Sequence, residues 1–230
     1  MRKIKSIALL ALLMSSSLFI SCSNDSDNDT GAETSTGDYW PTAINNQWVL
    51  DQNGTQSTMK IISSEKVNDD TYFKFNQLTG ASSDVEGSAS ASIKKVKGDY
   101  YIKIDQVNYS GEGYTGKMTG YEYIFFKDYL EVNKTWTGNY SQETTFNIPD
   151  FPTVNMTVSY TGTILEKGAT ATIKTVTYKD VIKFKFHQEV KTNGQASSVG
   201  DTEYWIAKDV GILKMVSGSY VAELVSYIKK

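Results

Sequence analysis

The chain of 230 residues holds one cysteine (Cys22), one histidine (His187), one arginine (Arg2) and three prolines. Each scarcity closes a class of function. Without a second thiol no disulfide can form, and no set of soft ligands exists for a structural zinc. One histidine cannot alone build a zinc site or a two-histidine relay, so neither metal nor cofactor is expected. The single arginine precedes Cys22, and everything downstream lacks the planar fork that grips phosphate in bidentate fashion. From Cys22 onward the chain carries 20 Lys against 26 Asp and Glu, a formal charge of −6. That balance argues against nucleic-acid binding. Absent too are a Gly-x-Ser-x-Gly elbow, a His-Glu-x-x-His pair and a phosphate loop, and no residue is assigned a catalytic role.

What is present begins with a targeting segment. Residues 1–21 open with Arg2, Lys3 and Lys5, continue through an apolar run from Ile7 to Met14, and end in Ser21. Charged, greasy and small segments in that order are a secretory signal peptide, too short to be a spanning helix. Leu18-Phe19-Ile20-Ser21-Cys22 resembles a bacterial lipobox. The resemblance implies cleavage before Cys22 and a diacylglycerol on its thiol, which makes the membrane the first partner. Residues 22–38 contain Ala32 as their only apolar side chain beyond the cysteine, and read as a flexible acidic tether. Asp25, Asp27 and Asp29 alternate as in a calcium loop, but Thr30 and Thr36 stand where Gly and Glu would be required. An acidic run just past a lipidated cysteine resembles the export signal of surface lipoproteins in Bacteroidetes-type bacteria. It implies the outer membrane and the cell surface, with the periplasmic face as the alternative.

Residues 39–230 read as one all-β domain. Thr71 to Leu78, Asp99 to Val107 and Val181 to Val190 alternate apolar and polar side chains with many β-branched and aromatic residues. Period two of this kind marks half-buried antiparallel strands. Turn chemistry separates them, most clearly at Asn53-Gly54 and Asn193-Gly194, and also at Lys97-Gly98 and Lys167-Gly168. The expected strands are 46–51, 57–67, 70–79, 88–97, 99–109, 119–128, 142–148, 154–166, 169–179, 181–192, 201–208 and 211–228, the last broken at Gly218. The expected architecture is a meandering antiparallel sheet forming a barrel or strongly curved half-barrel, with a two-sheet sandwich as the alternative.

Two segments carry a family resemblance. Tyr39-Trp40-Pro41 followed by Asn45-Asn46-Gln47-Trp48 is similar to the "YWP…NxW" opening of uncharacterised Bacteroidetes-type outer-membrane lipoproteins. Tyr204-Trp205-Ile206-Ala207-Lys208-Asp209-Val210-Gly211 resembles their near-terminal "YW-A-x-x-VG" segment. Asn133-Lys134-Thr135-Trp136 repeats the asparagine-tryptophan theme. The resemblance implies a curved antiparallel sheet and identifies no catalytic group.

Candidate functional residues are mostly aromatic. His187 shares a strand face with Lys183 and Lys185 and is expected to face solvent, since proton shuttling would need an orienting partner. Carboxylates such as Glu112, Glu122, Asp128, Glu189 and Glu203 cannot be paired from spacing, and hydrolase activity has no motif behind it. Tyr114, Trp136 and Tyr140 lie among Gly, Thr and Asn. Trp136 and Tyr140 either stack on a sugar ring, with Asn139 bonding hydroxyls, or Trp136 plugs one end of the barrel. Tyr114 is expected at an exposed hairpin tip. Phe146 and Phe151 belong to an apolar, proline-containing loop over 141–154, read as a cover for a greasy cavity or a contact with a partner. The leading expectation is a non-enzymatic binding module for an apolar or lipid ligand in a concave sheet. Glycan capture is the alternative, and an accessory subunit bound to an envelope protein the third reading.

Overall fold

The computed structural model describes residues 34–78, 90–111 and 113–230. The signal peptide, Cys22, the first part of the tether and Glu112 lie outside the described residues. The described chain forms fourteen strands. They are β1 (Gln47–Gln52), β2 (Thr55–Val67), β3 (Asp70–Phe75), β4 (Ala91–Val96), β5 (Asp99–Ile104), β6 (Val107–Gly111) and β7 (Tyr114–Met118). Then come β8 (Tyr121–Lys127), β9 (Thr135–Phe146), β10 (Val154–Ile173), β11 (Val176–Thr192), β12 (Gln195–Ala207), β13 (Gly211–Ser217) and β14 (Tyr220–Ile228). All pairings are antiparallel, in one sheet of order β6-β7-β9-β10-β11-β12-β13-β14-β1-β2-β3-β4-β5-β8. It is a strongly curved half-barrel that does not close into a barrel, because β6 and β8 stand at its two ends.

Most strands follow the expected alternation, and the Asn-Gly turns behave as their chemistry demands. Asn53, Gly54, Asn193 and Gly194 all have positive φ, the geometry that suits a two-residue hairpin to twisted strands. Three expectations fail. The stretch 99–109 is two strands rather than one, with the chain leaving the sheet at Asp105-Gln106 and re-pairing at the far edge. The Gly-rich piece around Tyr114 does form the expected hairpin, with Gly111 paired to Tyr114 across the turn between β6 and β7, but the Tyr114 ring is half-buried rather than exposed. Lys167-Gly168 is not a hairpin turn. The register between β10 and β11 shifts around Glu166 and Ala169, so extra residues are absorbed as bulges, and bulges bend a strand without ending it.

The end strand β8 is joined to β9 and β10 by side chains instead of a ladder. Trp136 Nε1 donates to the carbonyl of Ile124 on β8 (3.2 Å), and the Ile124 N–H donates to the Tyr160 hydroxyl (3.1 Å). Those bonds satisfy backbone groups on an edge strand that would otherwise face the interior unpaired. Room for the two rings comes from glycines directly opposite them. Trp136 pairs with Gly162, and Tyr160 with Gly138. The same device recurs at Gly116 with Phe146 and Gly111 with Tyr114.

The asparagine-tryptophan theme is a repeated structural unit. Asn45 and Asn133 both adopt positive φ, at 76° and 67°. The Asn45 N–H donates to the Ile61 carbonyl and the Asn133 N–H to the Ile164 carbonyl, each feeding a strand with a buried tryptophan three residues on. Trp48 also ties the two ends of the chain together. Its Nε1 donates to the carbonyl of Val210 at 2.6 Å. Gly211, at φ 104°, lies so close that a Cβ there would sit 2.8 Å from the same nitrogen. The opening and near-terminal segments are thus a clasp.

The concavity is filled. Phe125, Phe126, Phe184, Phe186, Tyr100 and Trp48 are buried within it, with Phe126 and Phe184 stacked at 5.0 Å. Burial pushes the Tyr100 hydroxyl well above its ordinary range and that of Tyr204 up to about 12. The unfolded chain ionises these phenols near pH 10 while the folded chain keeps its protons, so stability should fall as pH rises through about 10. Thermal melts should show a falling midpoint above that pH, with tyrosinate absorbance rising together with loss of strand signal. Ionisation without unfolding would contradict this burial.

The packed domain starts before Tyr39. Ser35 Oγ donates to Asp128 Oδ2 (2.7 Å), the Thr36 N–H to Asp128 Oδ1 (3.0 Å) and Thr36 Oγ1 to the Asp128 carbonyl (2.8 Å). The Asp209 N–H donates to the Asp38 carbonyl (2.6 Å), and Lys95 donates to that of Gly37. A carboxylate with 0% exposure holds the end of the stretch read as tether.

Candidate functional site

Strands β9 to β12 continue past the part of the curve that β8 covers, and β6 and β7 lie beside them. Over residues 137–144 the side chains alternate between exposed and half-buried, and Thr145 and Phe146 are half-buried too. The alternating half-buried set belongs to the inner face, which β8 covers as far as Tyr140 through Tyr121 and Tyr123. Tyr109 and Phe146 stack there at 6.3 Å, Tyr114 meets Phe146 edge-on at 6.1 Å, and Phe151 meets it edge-on at 5.2 Å. The Tyr109 hydroxyl donates to Met118 Sδ (3.2 Å). Nearer the core, Tyr121 and Tyr140 lie parallel within 3° at 4.3 Å. Gln188 Nε2 donates to the Tyr140 hydroxyl (3.5 Å). Burial holds the phenols of Tyr109, Tyr121 and Tyr140 above their ordinary range, so all are neutral donors and acceptors at physiological pH.

Four of the aromatic residues singled out in the sequence therefore share one surface: Tyr114, Tyr140, Phe146 and Phe151. Phe146 belongs to β9 rather than to a loop, and only residues 147–153 leave the sheet. Trp136 does not join them. It is 5% exposed, hydrogen-bonded to Ile124 and tilted against Phe184 at 5.7 Å. Tyr109 and Tyr121 complete the surface and escaped sequence reasoning, because alternating strand tyrosines look like core. The Gly-aromatic pairings beside them were the available signal.

His187 lies on the opposite, outer face. Its Nδ1 lies 2.7 Å from Asp201 Oδ1, and its Nε2 is 3.5 Å from Glu189. Thr137, Asn139, Ser159 and Thr161 line the shallow hollow of about 310 Å³ beside it. Among the described residues no three His, Cys, Asp or Glu side chains are grouped to hold a metal ion. Other carboxylates are engaged in ion pairs or ring contacts: Glu122 with Lys94 (2.9 Å), Glu131 with Lys167 (2.8 Å), and Glu203 with Trp205 Nε1 (2.5 Å).

No protein-family model and no curated protein matches the chain. Among solved structures, the chain is similar to a protein of Parabacteroides distasonis designated a lipoprotein. The TM-score is 0.51 at 10% identity, over 84% of this chain and 99% of that one. A second match, an exported protein of Bacteroides fragilis described as having a YmcC-like fold, aligns with TM-score 0.48 at 11% identity, over 84% of this chain and 100% of that one. At such identity the first likeness establishes a shared fold.

Proposed function

We propose that this chain is an outer-membrane lipoprotein, anchored through an acylated Cys22 and displayed on the cell surface. Its β domain is a non-enzymatic module that captures glycans on the open aromatic face. The lipobox-like segment before Cys22 supports the anchor, and the fold shared with a protein designated a lipoprotein agrees with it. The single observation that carries the binding reading is the half-buried set of Tyr109, Tyr114, Phe146 and Phe151 beyond the end of β8, continued inward by Tyr140 and the Tyr121 ring stacked on it. A pyranose has an apolar C–H face and a hydroxyl rim. Neutral tyrosines offer both a ring to stack on and a phenol to bond. An acyl chain would need depth, and the depth of this curve is occupied by Phe125, Phe184 and Phe186.

Affinity electrophoresis through gels cast with soluble polysaccharides tests this. Tyr140→Ala and Phe146→Ala are each expected to weaken retention about tenfold, the equivalent of one lost ring contact of about 1.4 kcal/mol. Trp136→Phe should leave retention unchanged. Retention untouched in folded Tyr140→Ala protein, or stoichiometric lipid in mass spectra of the purified domain, sinks the proposal.

A further inference from the structure

We propose that residues 35–38 act as a latch that fixes the attitude of the domain on the membrane. The latch holds the aromatic face away from the bilayer, so its ligand is a polysaccharide reached from the aqueous side and not a lipid drawn from the membrane. The inference rests on the reading of that face as the binding surface and of Cys22 as the anchor.

The latch lies at one end of the long strands. Its carboxylate, Asp128, follows β8 directly, and the Asp128 N–H donates to the Gly98 carbonyl in the turn between β4 and β5 (3.0 Å). Lys208 donates to the Thr36 carbonyl (3.3 Å), and Asp209 bonds Asp38, both from the turn between β12 and β13. Tyr100 seals the next step, its hydroxyl donating to the Gly37 carbonyl (3.2 Å) and accepting from the Tyr39 N–H (2.8 Å). The Lys208 side chain lies close over Gly37, where a Cβ would sit 2.6 Å from Lys208 Cε. Four separate places in the chain, Asp128 after β8, Tyr100 on β5, Lys95 on β4 and the turn between β12 and β13, thus grip four consecutive residues.

The aromatic face lies at the other end. Val181 pairs with Ala207, beside Lys208, whereas Val190 shares a rung with Val158 and Tyr140. Nine residues of extended strand separate the two rungs, about 30 Å at roughly 3.3 Å per residue. Phe146 and the β6–β7 hairpin lie beyond Tyr140. Only twelve residues, 23–34, intervene between Cys22 and the latch. The gripped end is therefore the one kept near the acyl anchor, and the rings are carried outward.

The test uses full-length acylated protein in phosphatidylcholine–phosphatidylglycerol vesicles carrying a headgroup nitroxide. Because acylation consumes the Cys22 thiol, a fluorophore can be placed on Lys229→Cys, near Asp209, or on Gln195→Cys, at the far turn. The Lys229→Cys label should be quenched several-fold more than the Gln195→Cys label. Equal quenching, or stronger quenching at Gln195→Cys, overturns the proposal, as does an unmodified Cys22 in the mass spectrum. In the Ser35→Ala/Thr36→Ala background the ratio should move toward one, and an unchanged ratio removes the latch as the cause. Polysaccharide retention is read separately. Lost orientation with retention intact rejects this inference alone, and the converse rejects the glycan reading alone.

Discussion

Gly162→Ala is expected to destabilise the domain by about 3 kcal/mol or more, lowering its melting temperature by roughly 10 °C for a chain of this size. A Cβ on Gly162 would lie 2.0 Å from Trp136 Cζ2 and 2.2 Å from its Cε2. No carbon tolerates such an approach, so either the ring or the strand must move. The ring is pinned by its bond to Ile124 and by Phe184 behind it. Displacing it would also open the join between β8 and the β9–β10 pair, leaving backbone groups of Ile124 unsatisfied. The comparison is Gly200→Ala, on β12, where a Cβ meets nothing within 4 Å. That change should stay within about 0.5 kcal/mol of the parent. Urea denaturation of both variants decides the matter, and similar midpoints would show that the rings do not seal the curve.

Asp128→Ala should cost about 3–5 kcal/mol, because it strips a buried carboxylate from several partners at once. Ser35 Oγ and the Thr36 N–H lose their acceptors, and Lys95, 3.3 Å away, loses its counter-charge. The loss should be local as well as global. Amide exchange at Thr36 to Tyr39 should accelerate far more than exchange at Phe184 or Leu213, since latch and core are different cooperative units. Uniform acceleration would mean that Asp128 supports the core directly. Asp128→Asn, which keeps one acceptor, should recover part of the stability.

Much of this architecture was legible before any coordinate. The strands around Tyr72, Ile102 and Phe184 alternate so regularly that burial on one face was the economical reading, and the Asn-Gly pairs marked hairpins by their need for positive φ. The split at Asp105-Gln106 was legible only as a change of parity, from Tyr100, Ile102 and Ile104 to Val107 and Tyr109 across two polar residues; that its two halves join opposite ends of the sheet was not legible at all. Lys167-Gly168 misled, since turn residues also serve bulges. Trp136 and Tyr140 look alike in a stretch of Gly, Thr and Asn, yet one is a seal and the other part of an open surface. What separates them is their place along β8: Trp136 is buried and bonded to Ile124 in its middle, whereas Tyr140 meets only its first residues, Tyr121 and Tyr123, and stays half-buried.

Strand identity and the two-sided character of each strand were written locally in this protein, because period-two alternation and turn geometry act over a few neighbouring residues. Which rings became core and which stayed half-open was decided only when β8 folded over the sheet. Covering a face depends on pairings between residues far apart in the chain. The latch on Asp128 belongs to the same class: Ser35 and Thr36 look like linker until the buried carboxylate, more than ninety positions away, is brought against them.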